Sequence, residues 1–199
     1  MKIGILSLQG DFCRHQNIIA DLGWDSMLVR YQYEFSKIDG LVIPGGESTT
    51  LTKLLRMTGL FKTLKDFSLT HPILGTCAGL ILMSRKCDDL RVKPLNILNI
   101  DVQRNAFGRQ VDSFESAVNL TDGTILTGTF IRAPKIIRIS KNVEILAKFN
   151  GTPVAVRDGK HIGISFHPEL NNESIFHKLA FYSSQSKKKY SQVGISYVN

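Results

Sequence analysis

Ile73-Leu74-Gly75-Thr76-Cys77-Ala78-Gly79-Leu80-Ile81-Leu82-Met83 is the stretch on which the fold turns. Ile73-Leu74 reads as a short buried strand, and Gly75 to Gly79 has the G-x-nucleophile-x-G form of a strand-to-helix elbow, with cysteine at its apex. Such a turn pushes a side chain out of the sheet. It sets the sulfur at a helix N-terminus, which favours the reactive thiolate. The flanking glycines relieve crowding. A buried, inert cysteine at a tight turn is the competing reading of this segment taken alone.

Outward from the elbow, short apolar runs alternate with amphipathic stretches. Toward the N-terminus, Ile3–Leu8, Met27–Val29 and Leu41–Ile43 read as strands. Asp11–Leu22 reads as a helix with Ile18, Ile19 and Leu22 on one face and Gly23 as its stop. Ser48 is expected to cap a helix carrying Leu51, Leu54 and Leu55, and another spans Leu60–Leu69. Toward the C-terminus, strands are expected at Ile97–Val102, Ile125–Ile131, Val143–Phe149, Val154–Val156 and Ile162–Phe166, with turns at Asn150-Gly151 and Asp158-Gly159. Ser174–Tyr182 reads as a closing helix. The βα alternation predicts an α/β fold: a three-layer sandwich whose central sheet is mostly parallel, with antiparallel strands added late. No linker or repeat divides the chain, so residues 1–187 read as one domain and 188–199 as a frayed tail.

In such sheets the site lies beyond the carboxyl ends of the strands, and two further motifs sit there. His167-Pro168-Glu169 follows the strand ending at Phe166. Residues two apart on an extended segment share a side, so Glu169 can orient His167 while the other imidazole nitrogen serves Cys77. His15, His71, His161 and His177 show no such partner in the sequence. Pro44-Gly45-Gly46-Glu47-Ser48 follows Leu41–Ile43. Its glycine pair can turn an N–H toward a ligand, and Gly46 with Ala78 makes a pair of oxyanion donors; a plain turn before a helix is the alternative. Cys13 and Cys87 lack such a setting: Cys13 falls in the first helix and Cys87 in a polar stretch, so both read as structural or incidental.

Composition narrows the classes. The 199 residues are 43% hydrophobic and 21% charged, ordinary for a globular domain. No apolar run approaches a membrane span, and the first ten residues lack the layout of a signal peptide. Three cysteines without a CxxC pair argue against a disulfide framework and a zinc site, and point to a reducing, cytoplasmic setting. The net charge of +8 is scattered or sits in Lys187-Lys188-Lys189. It accompanies no nucleic-acid motif, and reads as a solvated surface with a basic tail, or as a face for an acidic protein.

Several motifs together carry a resemblance. They are Leu8-Gln9-Gly10, Gly40–Thr50 (GLVIPGGESTT), Gly75–Leu80 (GTCAGL), Arg104–Glu115 (RNAFGRQVDSFE), Phe130–Pro134 (FIRAP) and Ser165–Leu170 (SFHPEL). With these the chain resembles the class I, triad-type glutamine amidotransferases, which have a flavodoxin-like fold, and within them the glutaminase subunits of glutamine-dependent pyridoxal 5′-phosphate synthases. The resemblance implies that L-glutamine is the substrate, that Cys77, His167 and Glu169 form the triad, and that no cofactor is needed. It implies glutamine binding by Gly46, Glu47, Ser48, Arg104, Ile131 and Arg132. It further implies delivery of ammonia to a barrel-shaped synthase subunit, with Gln9 and Gly45 responding to docking. Asp88–Asn96 departs from the family pattern. A different cysteine amidase, such as a γ-glutamyl hydrolase, a non-catalytic scaffold, and nucleic-acid binding through the +8 charge are the rival readings.

Overall fold

Leu41, Val42 and Ile43 send their side chains alternately into two separate cores, as do Ile73 and Leu74. Strand side chains alternate with period two, so a strand that is apolar throughout must be covered on both faces. The computed structural model, which describes residues 1–106 and 113–182, has this arrangement. In chain order its elements are β1 (Lys2–Leu6), α1 (Phe12–Asp21), β2 (Asp25–Val29), β3 (Gly40–Ile43), α2 (Ser48–Met57), α3 (Leu60–Thr70), β4 (Ile73–Thr76), α4 (Ala78–Met83), β5 (Lys86–Cys87) and β6 (Ile100–Gln103). There follow β7 (Phe114–Leu120), β8 (Ile125–Phe130), β9 (Lys135–Ile139), β10 (Glu144–Phe149), β11 (Thr152–Asp158), β12 (His161–Ile164) and α5 (Ile175–Phe181). Short 3-10 turns cover Gln32–Lys37 and Pro168–Asn171.

The main sheet runs β2-β1-β3-β4-β12-β11-β10-β7-β8. Its first five strands are parallel, in the flavodoxin-like order, and the remaining pairs are antiparallel. Leu51, Leu55, Leu60, Leu64 and Leu80 of α2, α3 and α4 pack against one face. Ile19 of α1 and Phe176, Ala180 and Phe181 of α5 pack against the other. The three layers thus follow from the apolar pattern. A smaller sheet, β5-β6-β9, stands apart.

The early elements lie close to their sequence expectations, and Gly23 closes α1 in the left-handed region (φ 71°). Asn150 and Gly151 both take positive φ, 46° and 77°, in a two-residue hairpin loop between Phe149 and Thr152. Four expectations need correction. Glu47, not Ser48, caps α2, its carboxylate accepting the Thr50 N–H at 2.6 Å. The strand expected from Ile97 begins only at Ile100. Strands β7 and β9 were not expected. Cys87, placed by sequence in a polar stretch, is buried in β5. The expected tail, 188–199, lies outside the described residues, as does 107–112 within the RNAFGRQVDSFE motif. No helix among the described residues is long and apolar enough to cross a membrane.

Candidate active site

Three loops leave the carboxyl ends of β3, β4 and β12, which are adjacent strands. Cys77 stands directly after β4, at the N-cap of α4, with φ 50° and ψ −102°. A non-glycine residue in this region carries about 1–3 kcal/mol of strain, which the surroundings must hold in place. They do so by close packing. The Cys77 N–H donates to the Ile164 carbonyl at 2.8 Å. A Cβ on Gly79 would lie 2.1 Å from the Ile43 carbonyl oxygen, and one on Gly75 would lie 2.5 Å from the Met83 sulfur. Only hydrogen fits at either position, so the elbow can press against β3 and α4. The thiol points to the Ile131 carbonyl, 3.8 Å from Sγ.

His167 lies just beyond β12. Its N–H donates to the Thr129 carbonyl at 2.8 Å, which hooks this loop onto β8. Its Nδ1 is 2.6 Å from Glu169 Oε1. The sequence-based reason for this pairing needs correction, because the segment is not extended. Pro168 starts a 3-10 turn, and that turn brings the Glu169 carboxylate back to the ring. Burial works against a charged His167, but hydrogen bonds with Cys77 and Glu169 outweigh it and push the imidazole up to about 10. Burial would likewise raise the Glu169 carboxyl; His15 and His167 beside it hold it below its usual value. The cluster therefore favours an imidazolium between a sulfur and a carboxylate.

The third loop packs against this imidazole. A Cβ on Gly45 would lie 2.2 Å from His167 Cε1. The Gly45 N–H donates to Thr76 Oγ1 at 3.0 Å. Gln9, in the loop after β1, donates its amide to the Glu47 carbonyl at 3.0 Å and accepts the Glu47 N–H at 2.9 Å. The glycine loop is thus clamped on both sides by residues outside it.

Of the residues singled out by sequence, Gly46, Glu47, Ser48, Cys77, Arg104, Ile131, Arg132 and His167 line one pocket. Gln9, Gly45, Ala78 and Glu169 stand outside its lining. Ile81 and Asn105 complete the wall without having been anticipated. Burial opposes the Glu47 charge, but hydrogen bonds from Thr49 and Thr50 bring its carboxyl down to about 2. Arg104 Nη2 meets Glu47 Oε1 at 2.7 Å, and Nη1 pairs with Asp89. Asp89 belongs to the segment that departs from the family pattern and carried no sequence signal. A pocket with one carboxylate and two guanidinium groups beside a thiol suits a small zwitterion with a cleavable side chain. Among the described residues no group of His, Cys, Asp and Glu side chains is placed to hold a metal ion.

One reading of the histidines is overturned. His15 and His177, taken as partnerless, are fully buried, with His15 Nδ1 3.0 Å from His177 Nε2 and His15 Nε2 3.7 Å from Glu169. The signal was present: His15 shares the i, i+3, i+4 face of α1 with Ile18 and Ile19.

The family model for the SNO glutamine amidotransferase family matches residues 5–185. The chain belongs to the SNO glutamine amidotransferase family. Among relatives of this amidotransferase, the pyridoxal 5′-phosphate synthase subunit PdxT of Dehalococcoides mccartyi strain BAV1 is 45% identical over 196 residues, covering 96% of this chain and 99% of the relative. The PdxT of Oenococcus oeni is 44% identical, covering 89% and 94%. A crystal structure of a glutamine amidotransferase superposes with a TM-score of 0.84 at 38% identity, over 89% of this chain and 98% of the other. The structure of PurLQS from Thermotoga maritima shares the fold at a TM-score of 0.70 and 12% identity.

Proposed function

We propose that this amidotransferase is the glutaminase subunit of a pyridoxal 5′-phosphate synthase, with Cys77, His167 and Glu169 as its catalytic triad. The observation that carries the reading is Cys77, strained at the pocket floor and coupled to an imidazole that Glu169 holds at 2.6 Å. The PdxT relatives supply the synthase context.

The Cys77 thiolate attacks the side-chain amide carbon of L-glutamine, forming a C–S bond. Gly46 and Ala78 N–H groups receive the developing oxyanion, each donor being worth about 10²–10³ in rate. His167 protonates the leaving nitrogen as the C–N bond breaks, and ammonia departs. His167 then takes a proton from water, which attacks the thioester; glutamate leaves and the thiol is restored. Glu169 keeps the imidazole oriented and stabilises its charge. Arg104 and Arg132 receive the α-carboxylate of glutamine, Glu47 its α-ammonium, and Ser48 and Ile131 complete the cradle.

The acceptor of the ammonia is a barrel-shaped synthase subunit. Gln9 and Gly45 are the positions through which docking acts, because both clamp the loop that carries Gly46. Residues 1–187 act as one domain, in the cytoplasm, where free Cys13, Cys77 and Cys87 stay reduced.

The test is ammonia release from glutamine with and without the synthase subunit. Wild type is expected to accelerate on mixing. Cys77→Ala is expected to lose glutamine-dependent synthesis and keep synthesis from ammonium salts. Turnover of γ-glutamyl peptides but not of free glutamine would sink the reading.

A further inference from the structure

The triad uses one face of a buried polar cluster and leaves two histidines of that cluster without a task. His15 on α1 and His177 on α5 have no exposed surface. His15 Nδ1 lies 3.0 Å from His177 Nε2. His15 Nε2 lies 3.5 Å from Thr76 Oγ1 and 3.7 Å from Glu169 Oε1. The groups facing His15 are thus Asp11 on its own element, Thr76 at the end of β4, His167 and Glu169 at the 3-10 turn, and His177 on α5. Burial holds both histidines below the usual imidazole value, His177 at about 3, which favours the neutral ring with a single proton in each.

Two arrangements of those protons satisfy the contact between the rings. In the first, His177 Nε2–H donates to His15 Nδ1, and His15 Nε2–H faces the Glu169 carboxylate and the Thr76 hydroxyl. The atom left over is His177 Nδ1, a buried lone pair with no hydrogen-bonding partner among the described residues. In the second, His15 Nδ1–H donates to His177, a bare nitrogen faces the carboxylate, and His177 keeps a buried N–H without a partner. The second places two electron-rich atoms against each other and buries an orphan donor, the costlier kind of unsatisfied group. The first therefore prevails. Its dipoles run head to tail toward Glu169.

We propose that His15, its tautomer set by His177, is a positioning residue that presents a fixed N–H to Glu169 and Thr76, and so holds the orientation of His167 and of the glycine loop. Among the described residues Glu169 Oε2 has no hydrogen-bonding partner, so the contacts of Oε1 to His167 and His15 carry much of its placement. Thr76 carries the effect to the other side of the site, since its hydroxyl accepts the Gly45 N–H at 3.0 Å. One side chain outside the pocket thereby touches the support of both the base and the oxyanion loop. This rests on the triad reading above.

The experiment measures glutamine hydrolysis against pH, with the synthase subunit present, for wild type, His15→Leu, His15→Gln and His177→Phe. His15→Leu fills the space without a donor; its kcat is expected to fall about 10-fold with KM little changed, the scale of a small misplacement of a catalytic group. Its basic limb is expected to move to lower pH, because a less firmly held carboxylate stabilises the His167 imidazolium less. Glutamine has an amide N–H2 in the place of Nε2, so His15→Gln is expected to recover most of the rate and the limb. His177→Phe is expected to shift the limb the same way by a smaller step, and it carries the test if His15→Leu does not fold. A folded His15→Leu with wild-type kcat and pH profile, a His15→Gln as slow as His15→Leu, or a His177→Phe with an unmoved limb would overturn the proposal. Absence of glutamine hydrolysis in wild type would instead strike the triad reading itself.

Discussion

Replacing Gly45 with alanine adds one methyl group directly against the imidazole of His167. The new carbon would lie 2.2 Å from Cε1, 3.0 Å from Nδ1 and 3.1 Å from Nε2. Carbon atoms rest about 3.5 Å apart or more, so the ring must retreat by roughly 1.3 Å. The backbone itself raises no objection, since the φ of Gly45 lies outside the left-handed region. Alanine there even stabilises by about 0.4–1 kcal/mol through the unfolded chain. Overpacking a buried site costs about 1–3 kcal/mol, so the net loss is small and the melting temperature should drop by only a few degrees. Catalysis should suffer far more. A displacement of about 1 Å at a catalytic group costs on the order of 10²-fold, and here it also stretches the 2.6 Å bond to Glu169. The expectation for Gly45→Ala is a folded protein with kcat down about 100-fold and KM within a few-fold of wild type. Steady-state glutamate release in the presence of the synthase subunit measures it. A folded variant with kcat within about threefold of wild type would refute the reasoning, because the position of His167 would then not set the rate.

Two other perturbations probe the pocket and the core. Arg104→Met removes a guanidinium that lines the pocket and pairs with Glu47 and Asp89; losing a charge-assisted hydrogen bond of about 1.5–3 kcal/mol should raise the KM for glutamine about 10- to 100-fold, with a smaller change in kcat. An unchanged KM would assign Arg104 to the loop and not to substrate. His161 is buried, its Nδ1 accepts the Ile73 N–H at 3.2 Å, and burial with Lys160 nearby lowers its imidazole to about 4. The unfolded chain binds this proton at a higher pH than the folded one, so its contribution is complete above 6.5 and is lost as pH falls toward 4. Melting temperatures from pH 7 to 4 should decline in wild type and decline less steeply in His161→Gln; parallel curves would count against the assignment.

The parallel half of the fold was legible because its strands are short, apolar and closed by glycine or proline, and because α1 to α3 each carry a clear apolar face. The later half was harder to read. Strand β7 points Ser116 inward and leaves Ala117 exposed, so its alternation is weak as a hydrophobic signal. Strand β9 exposes Ile137, which breaks its pattern the other way. Both are defined by their partners, β8 and β6, not by their own residues. The cap of α2 was misread for a related reason. Ser48 is the better N-cap by residue type, but Glu47 holds the position, its carboxylate accepting the Thr50 N–H and its backbone gripped by the Gln9 amide.

The site shows the same division between what is local and what only the fold assembles. Each motif announces its chemistry within a few residues: a cysteine between glycines, a histidine two before a glutamate, a pair of glycines. Their meeting depends on strand order. β12 inserts beside β4 although some 85 residues separate them, and the order β3-β4-β12 places the three loops side by side at strand spacings of about 4.8 Å. That spacing brings the Gly45 backbone against His167 and the His167 ring to Cys77. His15 needs one layer more. It arrives from α1 on the face that also holds α5, so its contact with Glu169 requires both the sheet and the helices that cover it. The deeper a residue stands behind the pocket, the more elements must be in place before its role is visible, and the less of that role its neighbours in sequence can reveal.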